Sequence, residues 1–322
     1  MPVRGDSRND QDASARVTLS VSNLLMLLMA VVLALGIYLT NKNHKPLRSS
    51  SFSVQLTEID VRGQRVTLPA PPERIVSLSP AETEILFALG LKTRIVADSA
   101  WCTWPPEAKL LPHIGDMTTS VEMVAAQRPD LVVGSSSANL PAIRQIEKAG
   151  IPCFAVDPNS LEEVKSAILS LGKITATSDH ARQIVQEMDR KIEQARKLIP
   201  SYHPRVLMIL QTDPLWVVGS GTFLDEIITQ AGGNNITHSQ GKGFVGCAPE
   251  KIVALKPDII LTAPQYAAKV KAIQGWSDLP AVRNGAVYTP EQDPLMRPGP
   301  RLADAFVNMV KLLHQQPEAG RK

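Results

Sequence analysis

Aromatic residues make up only 4% of the 322 positions, and 34 Lys and Arg against 31 Asp and Glu leave a net charge of +3. So small and evenly spread a balance gives no basic face for nucleic acid, and that partner is excluded. The three cysteines, Cys102, Cys153 and Cys247, lack C-x-x-C spacing, which excludes a zinc ribbon and a thioredoxin-like motif. There is no G-x-S-x-G and no G-x-x-x-x-G-K-S/T, so neither a nucleophile elbow nor a Walker loop is present, and no enzyme activity or cofactor is implied. Gly241 to Gly246 satisfies G-x-G-x-x-G, but it follows Asn235 to Gln240 rather than a strand in a first βαβ unit. It reads as a flexible cleft loop. His113, His203 and His238 are widely spaced and read as surface or polar-core residues, with no metal site.

Charge is also absent between Arg16 and Lys42, and Leu24 to Leu39 is almost wholly apolar. About 20 to 24 helical residues span about 30 to 36 Å, the thickness of a bilayer core. The stretch is longer than a signal-peptide core and lacks an A-x-A-like exit, which favours an uncleaved anchor over residues 17–41 after a tail, 1–16. A lipoprotein cysteine is missing, the first Cys being Cys102. Basic residues flank the span evenly, so the positive-inside rule leaves its orientation open.

The segment 42–54 is short, polar and Ser-rich, a tether. Beyond it, Ile- and Val-rich runs at Ile75 to Ser79, Arg94 to Ser99, Asp130 to Ser135 and Pro152 to Asp157 read as buried parallel strands, with helical spacing between them. They define an amino-terminal α/β lobe over 55–158. Ser160 to Leu198 contains no proline and one glycine, Gly172, and keeps a 3.6-residue apolar period with an irregularity near Thr175 to Asp179. It is expected as one long helix within 159–200. Strand and helix patterns then resume in a second α/β lobe, 201–322. Cys153, in the apolar run Ile151 to Val156, reads as a core thiol, leaving Cys102 with Cys247 as the one disulfide pair to test.

An internal repeat ties the lobes together. Val121 to Val133 parallels Pro249 to Leu261, with Glu122 and Glu250, an apolar pair, Ala, and Pro-Asp in register. In each copy an acid opens a helix, where a carboxylate favours the dipole, and proline closes it before a strand. Helix capping explains the acid at Glu122 and Glu250, but not why both copies keep it at the same position of the lobe.

Glu73 to Leu91 (ERIVSLSPAETEILFALGL), both Pro-Asp repeats, the central helical stretch and Arg297-Pro298-Gly299-Pro300-Arg301 occur in one order over residues 60 to 315. In this the chain resembles the periplasmic iron-siderophore, haem and cobalamin binding proteins, most closely the cobalamin binders. The resemblance implies an α/β fold of two Rossmann-like lobes bridged by one long rigid helix, here preceded by a transmembrane helix. It implies a ligand held between the lobes, delivery to an ABC importer, and a domain facing the periplasm or cell exterior. Glu122 and Glu250 match the family's acids that dock on arginines of the importer's membrane subunits.

Strand-end loops form the crevice in α/β sheets, which points to Ser79 to Glu82, Ala100 to Trp104, Ser135 to Asn139, Thr212 to Leu215, Pro264-Gln265 and Asp293 to Arg297. Trp101 to Ala108 looks like the family's aromatic ligand loop, where relatives often carry Tyr. Tryptophan stacks on a corrin or porphyrin but cannot ligate iron, so a corrinoid ranks ahead of haem. Trp101, Trp104, Trp216 and Phe244 are the expected apolar contacts, although for each Trp taken singly an ordinary core position is the favoured reading. Asp293 and Arg297 match an acid and base pair of cobalamin binders, and also read as a surface ion pair. Ferric siderophores rank third, because the cleft loops offer little base beyond Arg297 and Lys242. A membrane-tethered sensor without a transport role is the alternative of another class.

Overall fold

The computed structural model describes residues 55–116 and 118–315, together with Met26, Leu28, Met29, Ala30 and Val32, which are helical and exposed. Apart from those five residues, the expected tail, anchor and tether all lie outside the described residues. Among the described residues no helix is long and apolar enough to cross a membrane. The globular unit runs from residue 54.

It opens on a hairpin that the sequence pattern did not reveal, β1 (Leu56–Ile59) paired antiparallel with β2 (Arg65–Leu68). Then strand and helix alternate through β3 (Ile75–Ser77), α1 (Pro80–Ala88), β4 (Ile95–Ala97), α2 (Val121–Ala126), β5 (Leu131–Ser135), α3 (Leu140–Lys148) and β6 (Cys153–Val156). The four strands β3 to β6 are parallel, in the order β4-β3-β5-β6. Parallel strands need both faces covered, which is why these runs are continuously apolar. Ile75, Leu131, Val133 and Phe154 enter the large core on one face. Val76, Val132, Cys153 and Ala155 pack with Val124, Ile143 and Ile146 on the other.

The connection between lobes corrects the expectation of one long helix. Two helices stand there, α4 (Leu161–Ile174) and α5 (Ser178–Arg196). At the break Ala176 adopts φ +59. The Thr177 amide bonds the Gly172 carbonyl at 2.7 Å and the Ala176 amide bonds that of Lys173 at 3.2 Å, which closes α4 in a Schellman turn. The chain reverses, and α5 returns beside α4 with Lys165 Nζ 2.7 Å from Asp189. Gly172 permits the close approach, since a Cβ there would lie 2.4 Å from that of Ala181. The element that bridges the lobes is thus α5. Its His180 Nδ1 meets the Leu89 carbonyl of the first lobe at 3.2 Å, and its Arg196 donates to Gln230 of the second at 2.6 Å.

The second lobe contains β7 (Arg205–Thr212), β8 (Leu215–Val218), α6 (Phe223–Gln230), β9 (Asn234–Asn235), β10 (Phe244–Gly246), α7 (Pro249–Leu255), β11 (Ile259–Thr262), α8 (Pro264–Ala272), α9 (Pro280–Arg283), β12 (Val287–Tyr288), α10 (Gln292–Met296) and α11 (Leu302–His314). Its sheet is mixed, in the order β10-β8-β7-β11-β12, with β9 alongside the start of β7. Only Asp213 and Pro214 join β7 to β8, too few for a crossover, so these two pair antiparallel.

The sequence repeat has a structural cause. Asp130 Oδ2 accepts from the Glu73 and Arg74 amides at 2.9 Å, and Asp258 Oδ2 accepts from the Arg205 amide at 2.8 Å. In each lobe, the Asp of Pro-Asp ties its strand to the entry of the neighbouring strand, β5 to β3 and β11 to β7. The residue before each proline, Arg128 and Lys256, is left-handed at φ 48 and 46.

The expected Cys102–Cys247 disulfide does not form, and all three cysteines are free. Cys102 is buried in the first lobe, 3.1 Å from Thr83 Oγ1, whereas Cys247 is joined to the edge of the second-lobe sheet through Leu215. Burial pushes the Cys102 and Cys153 thiols up to about 12, so both stay protonated at neutral pH. The G-x-G-x-x-G segment is likewise no flexible loop. Gly219 and Ser220 amides bond the carbonyls of Gly243 and Gly241 at 2.8 Å, and Phe244 to Gly246 is an edge strand. A Cβ on Gly219 would stand 2.3 Å from the Gly241 oxygen, so the glycine serves backbone pairing.

An alanine held left-handed costs about 1–2 kcal/mol, partly offset by the stiffer unfolded chain. Ala176→Gly is therefore expected to raise unfolding stability by about 0.5–1 kcal/mol, read from urea denaturation.

Candidate functional site

A cleft of about 610 Å³ opens between the lobes. The first lobe lines it with Ser79 to Glu82 after β3, with Ser135, Ser137 and Ala138 after β5, and with Asp157 to Asn159 after β6. These are carboxyl ends of parallel strands, where the loops of an open sheet diverge. The second lobe contributes Phe223, Gln292, Asp293 and Met296 to Pro298.

Among the expected site residues, Asp293 and Arg297 line this cleft and pair at 3.0 Å, as the i,i+4 spacing on and just past α10 allows. Arg297 reaches across, donating to the Trp101 carbonyl at 3.3 Å and Thr103 Oγ1 at 2.9 Å. Its Nη1 is buried with no hydrogen-bond partner. Trp101 and Trp104, 55% and 40% exposed, sit on the loop that Arg297 holds, although neither lines the cleft. Trp216 and Phe244, 40% and 44% exposed, lie on β8 and β10. Trp216 is opposite Gly246 and Phe244 opposite Val218, which sets both aromatics on one face of that edge. They are outside the cleft lining, as are Thr212 to Leu215, Pro264-Gln265 and Lys242.

Arg301 binds these parts together. It donates to Glu84 Oε2 at 2.9 and 2.7 Å and to Asp293 Oδ2 at 2.6 Å, and its guanidinium lies 4.3 Å from the Trp104 ring centre. Glu84 is buried, and its Oε1 accepts from the Arg301 amide at 3.1 Å. Gly299 lets the chain pass this carboxylate, since a Cβ there would be 2.9 Å from Oε1.

Two further carboxyls shape the electrostatics. Glu82, on the cleft wall, is fully enclosed, and burial raises its pKa against the hydroxyl that Ser79 donates, with Asp157 adding repulsion. Asp98, beneath the Trp101 loop, is pushed up to about 6 by burial, outweighing His113 Nδ1 at 2.9 Å. Asp157 and Phe223 fall outside the loops that the sequence pointed to, whereas Met296 lies within Asp293 to Arg297. Asp157 ends a recognised strand and the strand-end rule reaches it, whereas nothing in a helix-opening Phe marks a ligand wall.

Glu122 and Glu250 sit exposed in the first turns of α2 and α7. The Glu122 carboxyl is held below its ordinary range by its own amide and then by the Ser120 hydroxyl.

The family model described as "Periplasmic binding protein" matches residues 75–294. The chain belongs to this family. An uncharacterised ABC transporter substrate-binding lipoprotein of Bacillus subtilis (strain 168) is 32% identical to this binding protein over 301 residues, 88% of the chain and 96% of the relative. The structure of the periplasmic vitamin B12 binding protein of Vibrio cholerae superposes with a TM-score of 0.69 at 26% identity, over 76% of this chain and 97% of that one. The apo periplasmic heme-binding protein of Roseiflexus sp. RS-1 gives 0.68 at 31% identity, over 75% and 98%.

Removing Arg301 strands a buried carboxylate, so Arg301→Met is expected to cost this binding protein about 3–5 kcal/mol, measured by urea denaturation. Glu82 has a raised folded-state pKa, so its stabilising contribution is present below the ordinary carboxylate pKa and lost as pH rises through the folded value. Glu82→Gln should match wild type in urea midpoint near pH 4 and exceed it at pH 8.

Proposed function

We propose that this protein is an extracytoplasmic solute-binding protein that captures a cobalamin-like corrinoid and delivers it to an ABC importer. The charge of the cleft carries the reading. Its ionisable described lining is Glu82, Asp157, Asp293 and Arg297; Asp293 is held by both Arg297 and Arg301, so the one base of the lining is engaged and Asp157 is the acid that faces a ligand without an ion pair. A desolvated wall of this sign repels ligands bearing several carboxylates or catecholates. It suits a corrinoid, whose rim is amidated and whose cobalt centre is cationic. Tyr and His, the usual ligands of haem iron, are not among the described lining residues. Trp101 and Trp104 beside the opening supply exposed aromatic area for a planar macrocycle. Haem is the second reading, favoured by the Met296 thioether on the cleft wall.

Docking on the importer is assigned to Glu122 and Glu250. Their support is the matched construction of α2 and α7, each presenting an exposed acid in its first turn at equivalent points of the repeat. Surface ion pairs contribute only about 0–1 kcal/mol each, so the two acids would act by orientation. Attachment to the membrane is assigned to the uncharged stretch 17–41, which stands in for the absent lipid-bearing cysteine.

Calorimetric titration of the full-length chain with cobalamin, dicyanocobinamide and haem tests the ligand. Binding of the two corrinoids and not of haem is expected, with Trp101→Ala weakening it about tenfold. Haem binding alone, with an axial-ligand spectrum, would overturn the assignment. In cells, Glu122→Ala combined with Glu250→Ala should lower corrinoid uptake while leaving affinity unchanged. Unaltered uptake would favour a tethered sensor.

A further inference from the structure

We infer, on the reading that the cleft takes a corrinoid, that Asp157 and its serines form an acceptor-only subsite, which seats the carboxamide edge of the ligand and rejects free carboxylates. Asp157 gathers three hydroxyls: Oδ1 accepts from Ser135 Oγ at 3.0 Å and Ser137 Oγ at 2.7 Å, and Oδ2 accepts from Ser136 Oγ at 3.2 Å. A serine hydroxyl has one proton and two lone pairs. With that proton committed to Asp157, the hydroxyl meets any further group as an acceptor. Ser135 already accepts from the Ala138 amide at 3.1 Å and its Oγ lies 3.0 Å from Ser137 Oγ, whereas Ser137 is exposed on the cleft wall and turns its remaining lone-pair capacity toward a ligand.

Counterions do not relieve this wall. Among the described lining residues Arg297 is the single cation; it comes from the second lobe and pairs with Asp293, which Arg301 also holds. Ser79, also on the wall, has likewise given its proton inward, to the buried Glu82. The first-lobe wall therefore offers oxygen lone pairs and negative charge.

A primary carboxamide brings two N–H donors and no charge, so it satisfies Asp157 and Ser137 directly. A carboxylate at the same place brings like charge into a partly desolvated pocket and leaves the acceptors unsatisfied. The site should thus separate corrinoids by amidation state, selecting the finished ring over forms whose arms are still acids.

The test is calorimetric titration of the full-length chain with dicyanocobinamide, amidated at its ring arms, and with cobyrinic acid, which bears carboxylates there. At pH 7.5 the wild type should bind dicyanocobinamide at least about tenfold more tightly, the cost of an unsatisfied or repelled polar group. Asp157→Asn should shrink that ratio to below about threefold, chiefly by admitting cobyrinic acid. Ser137→Ala, on the exposed wall, should weaken dicyanocobinamide about threefold with the melting temperature unchanged. Equal wild-type affinity for the two compounds would overturn the subsite while leaving the corrinoid assignment standing. A ratio untouched in both variants would overturn it too, by placing discrimination elsewhere. If no corrinoid binds at all, the ligand assignment and the subsite fall together.

Discussion

One guanidinium organises the region where the two lobes meet. Arg301 comes from the segment entering the last helix, yet its partners are Glu84 on α1, Asp293 on α10 and the face of Trp104. Burying Glu84 would be strongly unfavourable without a cation, and burying Arg301 would be equally so without its acids. The three partners therefore fix one another's positions. Asp293 in turn orients Arg297, which holds the carbonyl of Trp101. The aromatic loop, the cleft wall and the closing helix share a single electrostatic centre, and the proline and glycine residues around it shape the backbone to reach it.

Beneath that centre each lobe solves the same problem with the same residues. A parallel strand begins with an orphan amide at the bottom of the sheet, and the Asp of Pro-Asp supplies the acceptor, Asp130 in one lobe and Asp258 in the other. The left-handed residue and the proline before it end the preceding helix and aim the chain at the strand. Repetition of this device explains why the two copies keep their spacing although their sheets differ, one parallel and one mixed. It also leaves two similar short helices with an acid in the first turn of each, so a surface feature read as docking is carried by an internal constraint of folding.

Sequence pattern revealed most of the scaffold because buried parallel strands are continuous apolar runs and their ends fall at small or proline residues. It located the cleft through Ser79 to Glu82, Ser135 and the Asp293–Arg297 pair for the same reason. The helical break at Ala176 escaped because neither glycine nor proline marks it. A Schellman turn closed on alanine is written in φ and in two backbone hydrogen bonds, which periodicity does not register. Aromatic character alone groups Trp216 and Phe244 with the cleft, but Trp216 stands on β8 and Phe244 on the edge strand β10, outside the cleft lining. Asp157 is reachable as a strand end, but the convergence of three serines from the β5 loop on it is not visible along the chain.

The three thiols have a further consequence. Two are sealed in the first lobe and protonated, the third belongs to the other lobe, and none is placed to meet another. The fold consequently owes nothing to covalent cross-linking. Reductants of the surroundings therefore find no disulfide to break, and the fold can mature without disulfide-forming catalysts.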